Sequence, residues 1–519
     1  MIVPTQRRLC MKWSGLLVVV ILATFSAPKA VISAEPGNFA RRPARYFVKF
    51  RSDLSVREVK QRFAKVGLKL RGEIQEIQVY VAEALDPDRF EERGQDLINS
   101  SPDVLYLEKD RIVRALESYE SHDSSAPPTT PTTPNDPKFQ QQKALMRIAP
   151  EAAWSLSKGS RDVLVAVTDT GVALNHPELK NQVWTNSNEL PGNGIDDDRN
   201  GFVDDVNGWN FIGTGNNDPE DDEGHGTHVA GIIGAEGNNS EGIAGVNWLV
   251  SILPVKFLDS AGSGTLEGGV RSILYAVKQG ARLINASWGD DVTSRTLQDA
   301  IEYAFSNGSL VIAAAANSTR DTDVKPNYPS SDVSLGVISV ASSSRIGTLS
   351  GFSNYGVLSV DLVAPGSDVL STYLRGKYAK LSGTSMAAPM VTGIGALMLS
   401  LKPELSVLEL RNGILNAVEE SPGYEGKIST RGDIRADLAL EQLQTGFQIW
   451  PSRLTIALNA PYPLTAYRPE GSVQWDVSDE SLARIDANGV LTFLKAGGIQ
   501  VRARDGSGKQ ISTAWTRGR

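Results

Sequence analysis

The chain has 519 residues, a length that predicts two to four domains and leaves ample sequence for a large buried core. Hydrophobic residues make up 41% and charged residues 22%, which are values typical of a globular protein. The net charge of −8 argues against nucleic acid as the main partner. Nothing in the composition suggests a basic groove for nucleic acid.

The first segment has the pattern of a secretory signal peptide. Basic residues in the first twelve positions precede an apolar run at 16–25, and small residues follow up to position 34. We expect residues 1–34 to be removed and the mature protein to be secreted, with no stable membrane span. An uncleaved signal anchor and attachment at the cell surface remain alternatives. The single cysteine, Cys10, lies in this leader, so no disulfide is expected in the mature chain.

Residues 41–116 predict a small α+β domain. The elements alternate as β-α-β-β-α-β, an order that indicates a ferredoxin-like fold. Ser55 and Glu58 form a capping box at the first helix, and Asp86-Pro87 begins the second. The predicted strands lie at 46–50, 73–82 and 104–109, and the predicted helices at 55–66 and 87–99. A Ser/Thr/Pro-rich linker at 117–137 follows, which we expect to be extended and open to proteolytic processing.

A serine at the start of an apolar helix is the first candidate catalytic group. Gly383, Thr384 and Ser385 precede a long apolar run, so the Ser385 hydroxyl is expected at a helix N-terminus, where the free N–H groups favour negative charge. Such a serine can attack a carbonyl when a base takes its proton. The alternative is that Ser385 only caps the helix.

Two upstream stretches supply the partners that catalysis requires. Asp169 ends the β-branched run 162–168, which places a carboxylate at the carboxyl end of a predicted buried strand. His225 lies between glycines at the start of a second apolar helix, and it can act as the base. Two of the chain's 4 histidines lie in this motif.

Apolar runs of strand length alternate with helical patterns between these motifs. This alternation predicts an α/β domain with a mostly parallel sheet covered by helices on both faces. The runs lie at 163–168, 251–258, 282–288, 309–316 and 336–342.

The stretches VAVTDTGV (165–172), GHGTHVAG (224–231) and SGTSMAAPMVTG (382–393) together resemble the motifs of subtilisin-like serine proteases, the subtilases. The resemblance covers residues 138–443. It implies a serine endopeptidase that cleaves protein or peptide substrates through an acyl-enzyme, with Ser385 as nucleophile, His225 as general base and Asp169 orienting His225. It also implies a zymogen in which residues 41–116 are a propeptide that assists folding and inhibits the enzyme.

The resemblance further assigns the oxyanion and substrate contacts. Asn317 would donate a side-chain N–H to the oxyanion together with the Ser385 N–H. Ala316 stands where the family has glycine. A substrate would pair as an added strand between two edges of the cleft, with broad specificity and an apolar preference at S1. The implied substrate-binding residues are Ser287, Trp288, Gly289, Gly262, Ala315 and Ala316. Tyr328-Pro329 matches a position where the family carries a cis peptide bond.

An acidic loop predicts bound calcium. Residues 186–223 contain eleven acidic residues and one basic residue. Within this loop, residues 196–205 follow the first part of a calcium-binding pattern but lack its closing glutamate, so a merely solvated loop is the alternative. The predicted ligands are Asp196, Asp198, Asn200, Phe202, Asp204 and Asp205. Family resemblance implies a second calcium site at Glu178 and Asn239, with Glu178 in place of the usual aspartate.

After residue 443 the pattern changes to short β runs separated by Asn-Gly, Gly-Gly and Asp-Gly turns. Residues 447–519 therefore predict an all-β sandwich, and they are similar to bacterial Ig-like modules. We expect no catalytic group there, so that removing this module would leave peptide hydrolysis unchanged.

Two other function classes compete with the peptidase. One is a catalytically silent subtilase fold that serves in adhesion, which an intact set of catalytic residues disfavours. The other is an esterase of the α/β-hydrolase type, which the observed order Asp, His, Ser disfavours, since that class follows the order Ser, Asp, His and carries a G-x-S-x-G motif.

Overall fold

A computed structural model describes residues 44–51, 54–91, 101–116 and 133–519. The predicted signal peptide, most of the predicted linker and the greater part of the helix predicted at 87–99 lie outside these residues.

The N-terminal part is a four-stranded antiparallel sheet with strand order β2-β3-β1-β4. Helix α1 begins with the predicted capping box of Ser55 and Glu58 and covers one face of this sheet. The other face packs against helices of the following part of the chain. The elements are β1 (Arg45–Phe50), α1 (Val56–Lys65), β2 (Leu68–Ile74), β3 (Val79–Ala84), α2 (Pro87–Arg89), β4 (Val104–Lys109) and β5 (Ile112–Ala115).

The central part contains the predicted alternation of strands and helices. Its first strands are β6 (Gly159–Asp169), β7 (Trp209–Asn210), β8 (Leu249–Lys256), β9 (Ser263–Thr265), β10 (Leu283–Ala286) and β11 (Trp288–Gly289). Its later strands are β12 (Leu310–Ala314), β13 (Val337–Ser343), β14 (Leu362–Pro365), β15 (Val369–Tyr373), β16 (Lys377–Leu381), β17 (Val418–Glu420) and β18 (Gly432–Ile434). The helices are α3 (Lys143–Met146), α4 (Pro150–Trp154), α5 (His225–Gly234), α6 (Leu266–Lys278), α7 (Arg295–Ser306), α8 (Thr384–Leu401), α9 (Val407–Asn416) and α10 (Ala436–Glu441).

A nine-stranded sheet organises this part, in the order β17-β18-β14-β13-β12-β10-β6-β8-β7. All neighbours pair in parallel except β17 and β18. Side chains of β6 alternate between two cores: Val165 and Val167 pack on the side of α5 and α8, whereas Leu164 and Ala166 pack on the side of α6 and α7. Burial on both faces explains the near-continuous apolar runs, and the predicted mostly parallel sheet with helices on both faces is confirmed.

Helix α8 is the central helix of the core. It packs against β6, β10, β12, β13 and β14. Among the described residues it is the one helix whose length and apolar composition would suffice to cross a membrane, and 89% of its most apolar window is buried inside the protein. Its composition therefore matches a buried core helix.

The C-terminal part consists of short strands arranged in four small sheets. These are β19 (Gln448–Trp450) with β22 (Thr465–Tyr467); β20 (Arg453–Ile456), β29 (Trp515–Gly518) and β26 (Gly497–Ile499); β21 (Pro461–Pro463), β25 (Val490–Phe493) and β24 (Ala483–Ile485); and β23 (Gln474–Val477), β27 (Val501–Arg504) and β28 (Gln510–Ser512). An all-β C-terminal part therefore agrees with the prediction.

The hydrophobic core of the C-terminal strands is continuous with that of the large sheet. Trp450 is fully buried, stacks on Tyr467 and lies against Gly413 of α9. The preceding residue of α9, Asn412, donates a hydrogen bond to the carbonyl of Pro463 (2.9 Å) and accepts one from the Tyr462 hydroxyl (2.7 Å). The C-terminal strands thus share a core and buried polar contacts with α9.

Candidate active site

Asp169 and His225 form a buried pair at the carboxyl end of β6. The Nδ1 atom of His225 lies 2.8 Å from Oδ1 of Asp169, and both side chains are fully buried. The backbone N–H of Thr170 donates to the same carboxylate oxygen (2.7 Å). Asp169 is the last residue of β6 and His225 the first of α5, so both predicted residues lie at the ends of their elements. An Nδ1 that donates to Asp169 leaves Nε2 of the imidazole to accept a proton.

The glycine after His225 permits this close approach. A Cβ on Gly226 would lie 2.1 Å from the carbonyl oxygen of Gly171 and 3.0 Å from Cβ of Asp169. Any larger residue would push the start of α5 away from the end of β6. The second glycine of the Gly-His-Gly pattern is therefore required for steric reasons.

Asp221 joins the two elements, a role that the sequence analysis missed. Its buried carboxylate accepts hydrogen bonds from the N–H groups of Gly224 and Thr227 at the start of α5, each at 2.9 Å. It also accepts one from the hydroxyl of Thr170 (2.9 Å), the residue after Asp169. The sequence did contain a pattern that could have revealed this role. Asp221 lies just ahead of the predicted helix start, where a carboxylate commonly caps free N–H groups.

The second histidine of the motif has a different environment. His228 is completely buried, and its Nε2 lies 3.0 Å from the carbonyl of Val369. Burial lowers the pKa of His228 to about 3, because a charged imidazolium would lose its hydration. His228 is therefore a neutral core residue, whereas His225 is the histidine that pairs with Asp169.

Ser385 is the second residue of α8, and its hydroxyl donates a hydrogen bond to the backbone carbonyl of Leu116. The side chain is fully buried and also lies 3.2 Å from the carbonyl of Ser287. Helix α8 begins at Thr384, as predicted, and α5 packs against it. This contact brings Oγ of Ser385 next to a peptide carbonyl group, the kind of group that a serine nucleophile attacks.

Strand β5 leads to this carbonyl and lies between two edges of the cleft. It pairs antiparallel with β11, with Ala115 opposite Trp288 and Arg114 opposite Gly289. It pairs on its other side with β9, with Val113 opposite Gly264. The peptide N–H groups of Leu116 and Ala115 donate to the carbonyls of Ser287 (3.2 Å) and Gly262 (2.9 Å) respectively.

Four of the predicted substrate-binding residues, namely Ser287, Trp288, Gly289 and Gly262, thus contact an extended segment of this chain. The other two, Ala315 and Ala316, are buried directly before Asn317. Tyr328-Pro329 is cis, as the resemblance implies.

Asn317 contacts the start of α8 through its side-chain amide. Its Oδ1 accepts hydrogen bonds from the N–H and the hydroxyl of Thr384, each at 2.9 Å, which fixes the orientation of the side chain. Its Nδ2 is buried and has no hydrogen-bond partner among the described residues. A buried donor without a partner is costly, so it is suited to a ligand oxygen.

Ala316 keeps the glycine-like backbone that its position demands. It has φ of 74°, a left-handed conformation that costs an L-residue about 1–2 kcal/mol. Asn354, a residue that the sequence analysis missed, holds this turn: its N–H donates to the carbonyl of Ala316 and its Nδ2 to that of Ala315, both at 2.9 Å. Surrounding hydrogen bonds thus allow alanine in place of glycine.

Three carboxylates converge in the acidic loop. Oxygen atoms of Glu189, Asp198 and Asp205 lie within 4.8 Å of one another. Burial, together with the charge of Asp198, raises the pKa of Asp205. Asn186 donates its amide N–H groups to Asp198 and Asp205, each at 2.9 Å. Oxygen donors in a partly buried cluster of like charges fit a hard divalent cation such as Ca²⁺.

The remaining predicted ligands surround this cluster. The carboxylate of Asp196 accepts from the N–H groups of Asn200 and Gly201, and that of Asp204 accepts from Asn193 and Gly194. Asp196 and Asp204 therefore stabilise the loop through hydrogen bonds to its backbone. Phe202 packs against Tyr275, with ring centroids 4.7 Å apart.

Glu178 and Asn239, predicted for the second calcium site, are in direct contact: Nδ2 of Asn239 donates to Glu178 (2.9 Å). Glu178 also accepts from the N–H of Ile243 (2.7 Å) and the Tyr378 hydroxyl (3.0 Å). Burial raises the pKa of Glu178. Its oxygens are thus satisfied by protein donors, and a metal at this place stays a prediction.

Known proteins that are similar to this chain include serine proteinases. A model described as the subtilase family, Peptidase_S8, matches residues 160–441. The chain is 39% identical over 301 residues to thermitase of Thermoactinomyces vulgaris, which covers 58% of this chain and 96% of that protein. It is also 39% identical over 272 residues to a thermophilic serine proteinase of Bacillus sp. (strain AK1), covering 52% of this chain and 60% of that one.

One solved structure among those matched is titled for proteases from Pseudoalteromonas arctica. It superposes with a TM-score of 0.51 at 30% sequence identity, covering 60% of this chain and 99% of that chain.

Proposed function

The chain belongs to the subtilase family and is a serine endopeptidase, and we propose that it cleaves proteins with the Asp169–His225–Ser385 triad. His225 takes the proton from the Ser385 hydroxyl as Oγ attacks the substrate carbonyl, and Asp169 stabilises the imidazolium that forms. His225 then gives this proton to the leaving amine, and water hydrolyses the acyl-enzyme with the same base. The contact between the Ser385 hydroxyl and the Leu116 carbonyl is the observation that supports this assignment most, because it brings the proposed nucleophile next to a peptide bond.

Asn317 is the proposed oxyanion donor, acting with the backbone N–H of Ser385. Its buried Nδ2 without a partner supports this role, since a donor already aimed at the developing charge needs no reorganisation. The two contacts from Thr384 to Oδ1 hold the amide in that orientation.

We further propose that residues 41–116 are the inhibitory propeptide of a self-processed zymogen. The strand order β2-β3-β1-β4 supports the ferredoxin-like fold expected of them. Glu108 accepts hydrogen bonds from the first N–H groups of α7, those of Arg295 (2.9 Å) and Thr296 (3.1 Å), and Asp110 accepts from the N–H of Glu267 in α6 (2.9 Å). These contacts anchor the domain on two helix N-termini.

The position of the first cut follows from the register of β5. Leu116 lies with its carbonyl on Ser385, so the bond between Leu116 and Glu117 is the proposed autoprocessing site. The linker at 117–137 then begins directly after the cut and connects to the peptidase domain at 138–443.

Calcium is the proposed structural ion of the acidic loop. Glu189, Asp198 and Asp205 would hold it, and the ion would offset the repulsion among their charges. Calcium here would stabilise the loop and take no part in peptide hydrolysis.

We also propose that the protein is secreted and that residues 447–519 form an Ig-like module. The basic and apolar pattern of residues 1–34 supports export. Short, mostly antiparallel strands in small sheets support a β-sandwich similar to bacterial Ig-like modules. No catalytic role is proposed for this region.

Hydrolysis of casein and of a short fluorogenic peptide tests the proposed function. We expect the wild type to cleave both substrates and Ser385→Ala to lose several orders of magnitude of activity while keeping its fold. Ser306→Ala, at an exposed position of α7, is the matched control and should be fully active. Near-normal hydrolysis by Ser385→Ala would refute the assignment.

A further inference from the structure

A basic side chain of the bound segment is held six residues before the proposed cut. Counting back from Leu116 at P1, Ala115 is P2, Arg114 P3, Val113 P4, Ile112 P5 and Arg111 P6. Nε of Arg111 donates to Oδ2 of Asp290 at 3.0 Å. Its NH2 group donates to the carbonyls of Val292 (2.8 Å) and Thr293 (3.2 Å).

Strand geometry explains why this position faces the enzyme. Side chains alternate along β5, and Val113 is 1% exposed, whereas Ile112 is 38% exposed and Arg114 is also exposed. Arg111 lies on the same face as Val113, and its backbone carbonyl accepts a hydrogen bond from Leu266 (2.7 Å). The segment is thus still paired with the cleft at the sixth residue.

Asp290 is a fixed part of the enzyme surface. It directly follows β11, and two backbone hydrogen bonds with Tyr328, of 2.9 and 2.7 Å, hold its main chain. Its neighbour Asp291 is ion-paired with Arg320. Among the described residues, Arg111 is the cation that pairs with Asp290.

The groups around the Arg111 side chain favour a cation. They are one carboxylate and two backbone carbonyls, all of which are hydrogen-bond acceptors. A guanidinium can fill three acceptors at once, an ammonium fills them less well, and a carboxylate would be repelled. The side chains of Arg111 and Asp290 are only 21% and 26% exposed, so water weakens their attraction less than on an open surface.

We propose that Asp290, with the carbonyls of Val292 and Thr293, forms an S6 subsite that selects substrates with arginine six residues before the cleaved bond. This proposal rests on the proposed function and deepens it. It adds a preference for a charged substrate residue to a cleft that otherwise binds substrates through backbone pairing. The preferred substrate carries an apolar residue at P4 and arginine at P6.

Fluorogenic peptide amides with the sequence of residues 111–116 test the subsite in the processed enzyme. We expect kcat/KM to fall about tenfold when the P6 arginine is replaced by alanine or by the uncharged isostere citrulline, and further with glutamate. Replacing the P3 arginine by alanine is the matched control, since Arg114 is exposed and carries the same charge. That change should alter kcat/KM less than twofold.

The enzyme variant Asp290→Asn completes the test. The readout is the ratio of kcat/KM between the P6-arginine and P6-alanine peptides, so each protein serves as its own reference. We expect this ratio to fall from about ten to near one in Asp290→Asn and to stay unchanged in Glu302→Gln, which removes an exposed acid from α7. Equal cleavage of all peptides by the wild type, or a ratio unaffected by Asp290→Asn, overturns the subsite. Failure to cleave any peptide would overturn the proposed function instead.

Discussion

The hydroxyl of Ser385 donates a hydrogen bond to the backbone carbonyl of Leu116, although the two residues are 269 positions apart in the chain. The strand before Leu116 pairs with both edges of the cleft, as a substrate would. A segment of the chain thus lies where we propose that substrates bind. This arrangement would account for the proposed inhibition, because a docked segment excludes other peptides.

Loss of the Asn317 amide donor should slow turnover without changing the fold. We expect Asn317→Ala to lower kcat by about 10²- to 10³-fold, because the oxyanion loses a donor. Asn317→Asp is a sharper test, since its carboxylate still accepts the two hydrogen bonds from Thr384 but cannot donate. Steady-state kinetics on a fluorogenic peptide measure both variants, and a near-normal kcat for Asn317→Asp would rule out the donor role.

Calcium should stabilise the acidic loop. The ion favours the folded state by about 2.7 kcal/mol when its free concentration is 100 times its dissociation constant. A chelator should therefore lower the melting temperature, and Asp198→Ala should reproduce most of that loss. Glu302→Ala, at an exposed acid far from the loop in sequence, is the control. Melting that responds neither to chelator nor to Asp198→Ala would mean that the loop is only solvated.

Docking of the propeptide should weaken as pH rises. The carboxylate of Asp110 faces Glu267 of α6 and Arg45 of β1, and burial together with the Glu267 charge raises the pKa of Asp110 from 3.8 to about 7. The docked state therefore binds the proton more tightly than the free propeptide does. Docking is then strongest below about pH 4, weakens as pH rises towards 7, and is constant above it.

Hydrogen exchange of residues 104–115 in the unprocessed Ser385→Ala chain measures this effect, after correction for intrinsic exchange rates. Protection should fall between pH 5 and pH 8, and adding Asp110→Asn should remove most of the fall. Protection that increases with pH would contradict the role given to Asp110.

Removal of the C-terminal strands should destabilise the peptidase domain, which replaces our expectation from sequence. Truncation after Leu443 would expose the surface of α9 that Trp450 covers, and it would remove Tyr462, the partner of buried Arg411 (2.9 Å). We expect a lower melting temperature and reduced activity. Trp450→Ala alone should cost about 3–5 kcal/mol. An unchanged melting transition in the truncated protein would show that the module is independent.

The proposed catalytic residues could be picked out from the sequence because each belongs to a local pattern. Asp169, His225 and Ser385 lie at ends of elements whose apolar periodicity is readable, and the runs around them became β6, α5 and α8. Glu189 was missed because it meets Asp198 and Asp205 only after the loop closes.

Long-range contacts account for the other omissions. Asp290 acquires its partner from the register of β5, and Trp450 meets α9 only in the folded chain. Alternating hydrophobicity showed strands after residue 443 but carried no information about which surface they would share.

The C-terminus of the released propeptide tests the central claim most directly. Mass spectrometry of the wild type during maturation should detect a fragment ending at Leu116, and Ser385→Ala should keep residues 41–116 attached, because no nucleophile can attack that carbonyl. The same processing in both proteins, or a first cut at another bond, would contradict the assignment of Ser385 and the register of β5 in the cleft.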